Sequence, residues 1–180
     1  GKVASAQNIA SYFVTIAALG LPSYGVREFA KVRENKRESN KLFTELLLLN
    51  IVSTTLAVIG FFGLVFINAG FHGEWALYAA CGLAIFFNYL NIDWMYKGLE
   101  EYGYITGRSL LIKGISLVAL FLFVKTRQDY VAYALISSLA TGGNYVFNVI
   151  HAKKFVRLDF SGIKIQKHIK PVLLIACIIF

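Results

Sequence analysis

NYLNIDWMYKGLEEYGYITGR, residues 88–108, decides how the rest of the chain is read. It opens inside an apolar run, passes an acid-aromatic pair at Asp93 and Trp94, and breaks at Gly98. A polar turn with Glu100 and Glu101 follows, then Gly107 and Arg108, where a new apolar run begins. The pattern predicts a tight turn between two membrane-spanning helices, with an acid left near the membrane boundary. Apolar runs on either side repeat it along the chain.

The 180 residues are 57% hydrophobic and only 16% charged, too oily for a soluble domain of this size. The balance fits an all-α, polytopic transmembrane helix bundle. Two prolines and ten acids give no sign of disorder. In a soluble protein the formal charge of +8 would raise nucleic acid as a partner; here the placing of the charge accounts for it. Cys81 and Cys177 lie in apolar runs, far apart and without metal-ligand spacing, and read as buried or lipid-facing thiols. No metal and no cofactor is expected. The chain opens Gly1-Lys2-Val3, without methionine or a signal-peptide order, and stops inside an apolar run. Residues 171–180 make about half of the roughly 20 that a span needs. These ends predict a piece of a longer membrane protein.

The predicted spans are residues 5–24, 44–69, 75–96, 109–124 and 130–150, with the start of another at Pro171. Asn8, Ser11 and Thr15 share one face of the first. Asn50, Thr54 and Ala57 make the stripe of the second. Trp75, Trp94 and Tyr96 bracket the third, as interfacial aromatics do. The fourth is short, with Ser109, Lys113 and Ser116 on one face. Ser137, Thr141, Asn144 and Asn148 make the cleanest stripe, on the fifth. Basic loops at residues 27–41 and 151–170 fall on one side with the central turn. Of the 18 Lys and Arg, only Lys2, Lys125 and Arg127 fall on the other side, and Lys113 lies within a span. Cytoplasmic loops are rich in Lys and Arg, so the first side is predicted to be cytoplasmic.

Polar stripes inside spans have two readings. They join helices by hydrogen bonds, or they converge on a water-filled cavity. For the pairs Asn88 with Asn91, and Asn144 with Asn148, amides can grip sugar hydroxyls as well as a neighbouring helix. Lys113 either snorkels back to the headgroups or offers a point charge to a phosphate-bearing substrate. Asp93 either pairs with Arg108 or Lys97 across the turn, or titrates to couple transport to protons. Arg27 anchors the cytoplasmic side or holds a phosphate at its mouth. There is no P-loop and no G-x-S-x-G, and His72, His151 and His168 are too scattered for a metal set. The chain is therefore not expected to be an enzyme.

GKVASAQNIASYFVTIAALGLPSYGVREFAKVREN, residues 1–35, resembles the second-helix region of the polysaccharide repeat-unit flippases. These belong to the multidrug, oligosaccharidyl-lipid and polysaccharide exporter superfamily. The resemblance rests on Tyr12-Phe13, Leu19-Gly20 and Tyr24-Gly25-Val26-Arg27-Glu28. Asp93-Trp94 with Gly98 and Glu100, then Ile105-Thr106 and Arg108, resemble the next landmark; Lys113 and Asp129-Tyr130 are similar too. It implies most of one lobe of a two-lobe exporter, with a central cavity and alternating access. It also implies ion-coupled flipping of an undecaprenyl-diphosphate-linked oligosaccharide across the bacterial cytoplasmic membrane, for O-antigen, capsule or related glycans. Partners would be that lipid-linked substrate, membrane lipids and other polysaccharide assembly proteins, with no nucleic acid. Lys113, Arg27, Asn88, Asn91, Asn144 and Asn148 are the candidate substrate residues, and Asp93 the candidate ion-coupling residue. Two alternatives stand beside this reading: a multidrug or cation antiporter of the same superfamily, and a membrane-embedded glycan polymerase or ligase.

Overall fold

The computed structural model describes residues 1–179 except Arg127. Arg127, Phe180 and the side chains of Ala69, His72 and Ile179 lie outside the described residues, and with them the sequence readings of Arg127 and His72. Among the described residues the elements are all helical. They are α1 (Lys2–Ala18), α2 (Leu21–Val32), α3 (Lys36–Ile67), α4 (Trp75–Phe87), α5 (Asp93–Gly98), α6 (Tyr102–Phe123), α7 (Tyr130–Ala152) and α8 (Gln166–Ile179), with 3-10 turns at Ala69–Glu74 and Asn88–Leu90. Three stretches are long and apolar enough to cross a membrane: Lys2–Val32, Lys36–Ile67 and Tyr102–Phe123. Trp75–Leu90 is apolar but shorter. The chain is a helical membrane bundle.

Several predicted boundaries move, each for a local reason. The first span ends at Ala18, because Leu19 (φ 44°) and Gly20 (φ 72°) both take left-handed conformations. Pro22 then starts α2, so Tyr24 and Arg27 belong to a separate helix. The third span is interrupted: α4 stops at Phe87 and the chain resumes as α5 only at Asp93. Gly98 is helical, and the reversal comes at Glu100, a non-glycine residue at φ 63°. Arg33 pairs with Glu100 at 2.7 Å and ties that turn to the end of α2. The fourth span is not short, since α6 begins at Tyr102 and runs 22 residues, about 33 Å. The final helix begins at Gln166, with Pro171 inside it.

α3 is capped by Asn35, whose side-chain oxygen accepts from the backbone N–H groups of Arg37 (3.2 Å) and Glu38 (3.3 Å). Its 32 residues span about 48 Å, well beyond a hydrocarbon core of about 30 Å. One end of α3 therefore projects, carrying the basic loops. Two apolar cores lie along it. The core at the basic end gathers Tyr24, Phe29, Phe43, Leu46, Trp94 and Tyr96. The other gathers Ala6, Ala10, Phe61, Leu77, Cys81 and Ile85. The small residues of α1 allow close packing against its neighbours. At that second end Glu74 accepts from Lys2 and from the Tyr130 hydroxyl (2.9 Å), joining α1, the α3–α4 turn and α7. The Lys2 ammonium, first, and then Tyr130 hold the Glu74 carboxyl below its usual range.

Trp94 and Tyr96, predicted as interfacial aromatics, are buried instead, at 2% and 0% exposure. α2 and α5 pack closely at the Trp94 ring, whereas the Tyr96 ring turns to Tyr104, His151 and Phe155. A Cβ at Gly25 would lie 2.9 Å from the Trp94 ring, and one at Gly98 only 2.8 Å from Phe29 Cβ. Gly98→Ala should therefore cost about 1–3 kcal/mol by overpacking. It would show as a lower melting temperature of the detergent-solubilised protein, while Gly103→Ala, in open space, leaves that temperature unchanged or raised.

The α2–α3 turn and the α7–α8 loop meet at one end, and Asn68 and Gln128 follow helices that run to the other. Ser161 is exposed and Ser39 is buried, so residue 34 is the better probe of the first loop. In a Cys177→Ala background, Glu34→Cys and Ser161→Cys should respond alike to an impermeant thiol reagent in sealed cells. Asn68→Cys and Gln128→Cys should respond in the opposite way.

Candidate functional site

The two apolar cores are separated by a polar layer, built where α4 breaks. A helix end within a membrane leaves carbonyls without partners, and nothing in hydrocarbon can satisfy them. Asn50 of α3 does so: its Nδ2 donates to Asn88 O at 2.7 Å. Asn88 Nδ2 in turn donates to Asn50 Oδ1 (3.3 Å) and Thr54 Oγ1 (2.9 Å). Asn88 Oδ1 accepts from Asn91 Nδ2 at 3.0 Å. Asn88 is fully buried and its amide is engaged at both ends. Of the two readings of Asn88, joining helices describes its contacts, and no face of it is left to grip a sugar.

The break sets Asp93 at the start of α5, and α6 and α7 bring partners to it. Arg108 Nη1 donates to Asp93 Oδ1 at 3.2 Å. Asn148 bridges the pair, donating from Nδ2 to Asp93 Oδ1 and accepting on Oδ1 from the same Arg108 nitrogen. Arg108 also donates to Asn144 O at 3.1 Å, and its guanidinium sits over the Tyr104 ring at 5.9 Å. The Tyr96 hydroxyl donates to Asn148 O at 2.6 Å. Arg108 is 5% exposed and Asp93 29%, so the pair is mostly desolvated. This is the ion pair across the turn that the sequence offered as one role for Asp93. Two polar atoms of the cluster, Arg108 Nε and Asn144 Oδ1, are buried without a hydrogen-bond partner among the described residues. A buried donor and acceptor left over in this way are expensive, and they mark where polar chemistry is available.

Among the other hydroxyls, two kinds matter to the bundle interior. Ser53 donates to Ala17 O (2.6 Å) and Ser138 to Ala80 O (2.8 Å), each joining one helix to another. Ser11, Thr15, Ser137 and Thr141 instead donate to carbonyls of their own helices. These four line one crevice of about 340 Å³ between α1, α4 and α7, together with Gln7 and the helix-joining Ser138. The stripe of α7 continues from this crevice through Asn144 to Asn148, so the crevice and the Asp93–Arg108 cluster share a helix face.

Lys113 lies away from the cluster. Ile112 turns inward against Gly143, and Lys113, next along α6, is exposed. Arg27 lies on α2 at the basic end, paired with Glu28 at 3.0 Å and set over the Tyr24 ring. Neither joins Asp93.

Glu45, at the start of the second predicted span, is a buried charge that the sequence reading passed over. It lies on α3 with no exposure and accepts from His168 Nε2 (2.8 Å), Lys164 N (2.7 Å) and Lys167 Nζ (3.1 Å). His168 Nδ1 meets the Tyr24 hydroxyl at 2.7 Å. A glutamate just inside an apolar run was the available signal. Its partner lay 123 residues away, beyond any periodicity.

A model of the polysaccharide biosynthesis protein family matches residues 1–180, and the chain belongs to that family. No curated protein and no solved structure matches it.

The geometry predicts that Asp93 is first a structural partner. Arg108→Met alone leaves a mostly buried carboxylate with Asn148 but no countercharge and should cost roughly 3 kcal/mol. Asp93→Leu with Arg108→Met removes both charges and should recover much of that loss in a thermal melt. Equal melting of the Arg108→Met and double variants would show that the unpaired Asp93 carboxylate carries no cost.

Proposed function

We propose that this member of the polysaccharide biosynthesis family is a transporter and not an enzyme. On this reading it flips an undecaprenyl-diphosphate-linked oligosaccharide across the bacterial cytoplasmic membrane by ion-coupled alternating access. The basic end faces the cytoplasm, in line with the usual excess of Lys and Arg there. O-antigen or capsule is the kind of glycan served.

The observation that carries the reading is the crevice lined by Ser11, Thr15, Ser137 and Thr141. Of the hydroxyls on this wall, Ser138 is spent on joining α7 to α4, and the other four are not. These hydrogen-bond only their own helices and retain lone pairs toward the open space. A glycan, rich in hydroxyl donors, suits such a wall. The exposed Lys113 ammonium supplies positive charge for a diphosphate, which must shed water on entering, and Arg27 would have to exchange Glu28 for it. An exporter of organic cations would want an open carboxylate. Asp93 is instead neutralised by Arg108, and Glu45 is enclosed by His168 and Lys167. That favours an anionic cargo.

The test is transport of a lipid-linked oligosaccharide by the protein expressed from its complete reading frame, assayed with membrane abundance. Lys113→Ala should abolish or strongly reduce flipping at near-normal abundance, and Lys113→Arg should keep part of it. Normal transport by Lys113→Ala at equal abundance would reduce Lys113 to a snorkelling anchor.

A further inference from the structure

A further concavity lies apart from both the crevice and the Asp93 cluster. It is a groove of about 790 Å³ near the basic end, between α3 and α7. Phe43, Leu47 and Ile51 form one wall, Val149 and Ala152 the other, and Leu90 the floor. The wall residues are apolar, and Ile51 is 39% exposed. Lys153 and Arg157 stand at the rim, where α7 ends and the loop to α8 begins. The loop is fixed there, because Arg157 N donates to Asn40 Oδ1 at 2.8 Å and Asp159 N to Thr44 Oγ1 at 2.8 Å.

The charge at this rim is not neutralised. Some cations of the basic end have carboxylates: Arg27 and Lys31 share Glu28, Arg33 has Glu100, and Lys167 has Glu45. Others, such as Lys36, Lys41 and Lys154, form no ion pair among the described residues, and what sets Lys153 and Arg157 apart is their place on the rim of the groove. Lys153 and Arg157 are exposed and form no ion pair among the described residues. The one acid of their loop, Asp159, is turned to Ser161, whose hydroxyl and N–H both donate to it. An apolar trough that ends in two unneutralised cations at the Lys- and Arg-rich end of a membrane bundle is complementary to one kind of molecule. That molecule has a hydrocarbon chain and a phosphate head. A zwitterionic lipid would fill the trough but gain little from the rim.

We infer that the α3–α7 groove is a binding site for an anionic glycerophospholipid of the adjoining leaflet, with an acyl chain along Leu47 and Val149 and the phosphate on Lys153 and Arg157. The inference needs the membrane setting alone and is independent of the flipping reading. A protein that does not flip glycans could still hold this lipid, and the test below contains no transport step.

The test is lipid retention, by native mass spectrometry, of the protein expressed from its complete reading frame. It is exchanged into micelles doped with phosphatidylglycerol or phosphatidylcholine. Phosphatidylglycerol should be retained over phosphatidylcholine. Lys153→Gln and Arg157→Gln should each weaken its retention roughly fivefold while leaving phosphatidylcholine unchanged. Ile51→Trp, which fills the trough from its exposed side, should displace the lipid while the melting temperature of the lipid-free protein holds. Excess inorganic phosphate should not compete. Four results would overturn the inference: equal retention of the two lipids; binding indifferent to the rim charges; displacement by inorganic phosphate alone; or preferential capture of undecaprenyl phosphate, which would give the groove to a cargo chain. Cross-linking of Ile51→Cys to another segment of the same polypeptide would also overturn it, by showing the trough to be covered by protein.

Discussion

A helix that stops inside a membrane must find partners for the carbonyls at its end, and the structure is arranged around one such stop, at Phe87. Each unsatisfied group in hydrocarbon costs several kcal/mol. The Asn50 amide meets Asn88 O, and Asn88 and Asn91 pass the hydrogen bonding along to Asp93 N at 3.4 Å. Because the chain leaves the α4 axis there, α5 is free to lie against α2. Trp94 then packs with Phe29 and Phe43, and Asp93 reaches Arg108 and Asn148. An unbroken helix would have carried residues 93–96 on the periodicity of α4 and sent them elsewhere.

The basic end is held by a second device of the same kind. Burying the Glu45 carboxylate is costly, and His168, Lys167 and the Lys164 N–H together offset that cost. The arrangement draws residues 164–168 down onto α3, so α8 starts at Gln166 and passes Gly20, where a Cβ would lie 2.9 Å from Ile175. What reads as a solvated basic loop is in part a docked lid on α2 and α3. Its consequence is positional: it fixes residues 157–159 against Asn40 and Thr44, and so fixes the cationic rim of the α3–α7 groove.

The helical membrane class was legible because it follows from composition and run length. The α7 stripe was legible because a step of three or four residues is a helix face, and those residues do share a wall or a cluster. The Asp93–Arg108 pair could be read because both residues flank one short turn. The break at Asn88 was hidden: Asn88, Asn91 and Asp93 read equally well as a polar patch on a continuous helix, and only the distant Asn50 makes a stop affordable. Trp94 and Tyr96 misled for a related reason. Interfacial aromatics and core aromatics are the same residues, and what buries these two lies on other helices: Gly25 admits the Trp94 ring, and Tyr104 and His151 receive that of Tyr96. His168 and Glu45 could not have been joined by spacing at all.

The two groups of hydroxyls divide the labour within the bundle. Ser53, Ser138, Thr54 and the asparagines bond between helices and hold α1, α3, α4 and α7 as one body. Ser11, Thr15, Ser137 and Thr141 bond within their helices and leave the crevice wall free. A cavity that fills and empties faces a difficulty that a static core does not: each polar group on its wall must tolerate both water and its removal. A hydroxyl whose proton is already given to a carbonyl of its own helix loses only acceptor contacts when water leaves. Its desolvation cost is therefore smaller than that of a side chain with an unplaced donor. A wall of self-bonded Ser and Thr can pass between wet and dry states without tearing bonds between helices. In a transporter of the proposed kind, that lets the lobe move as a unit while the crevice changes contents.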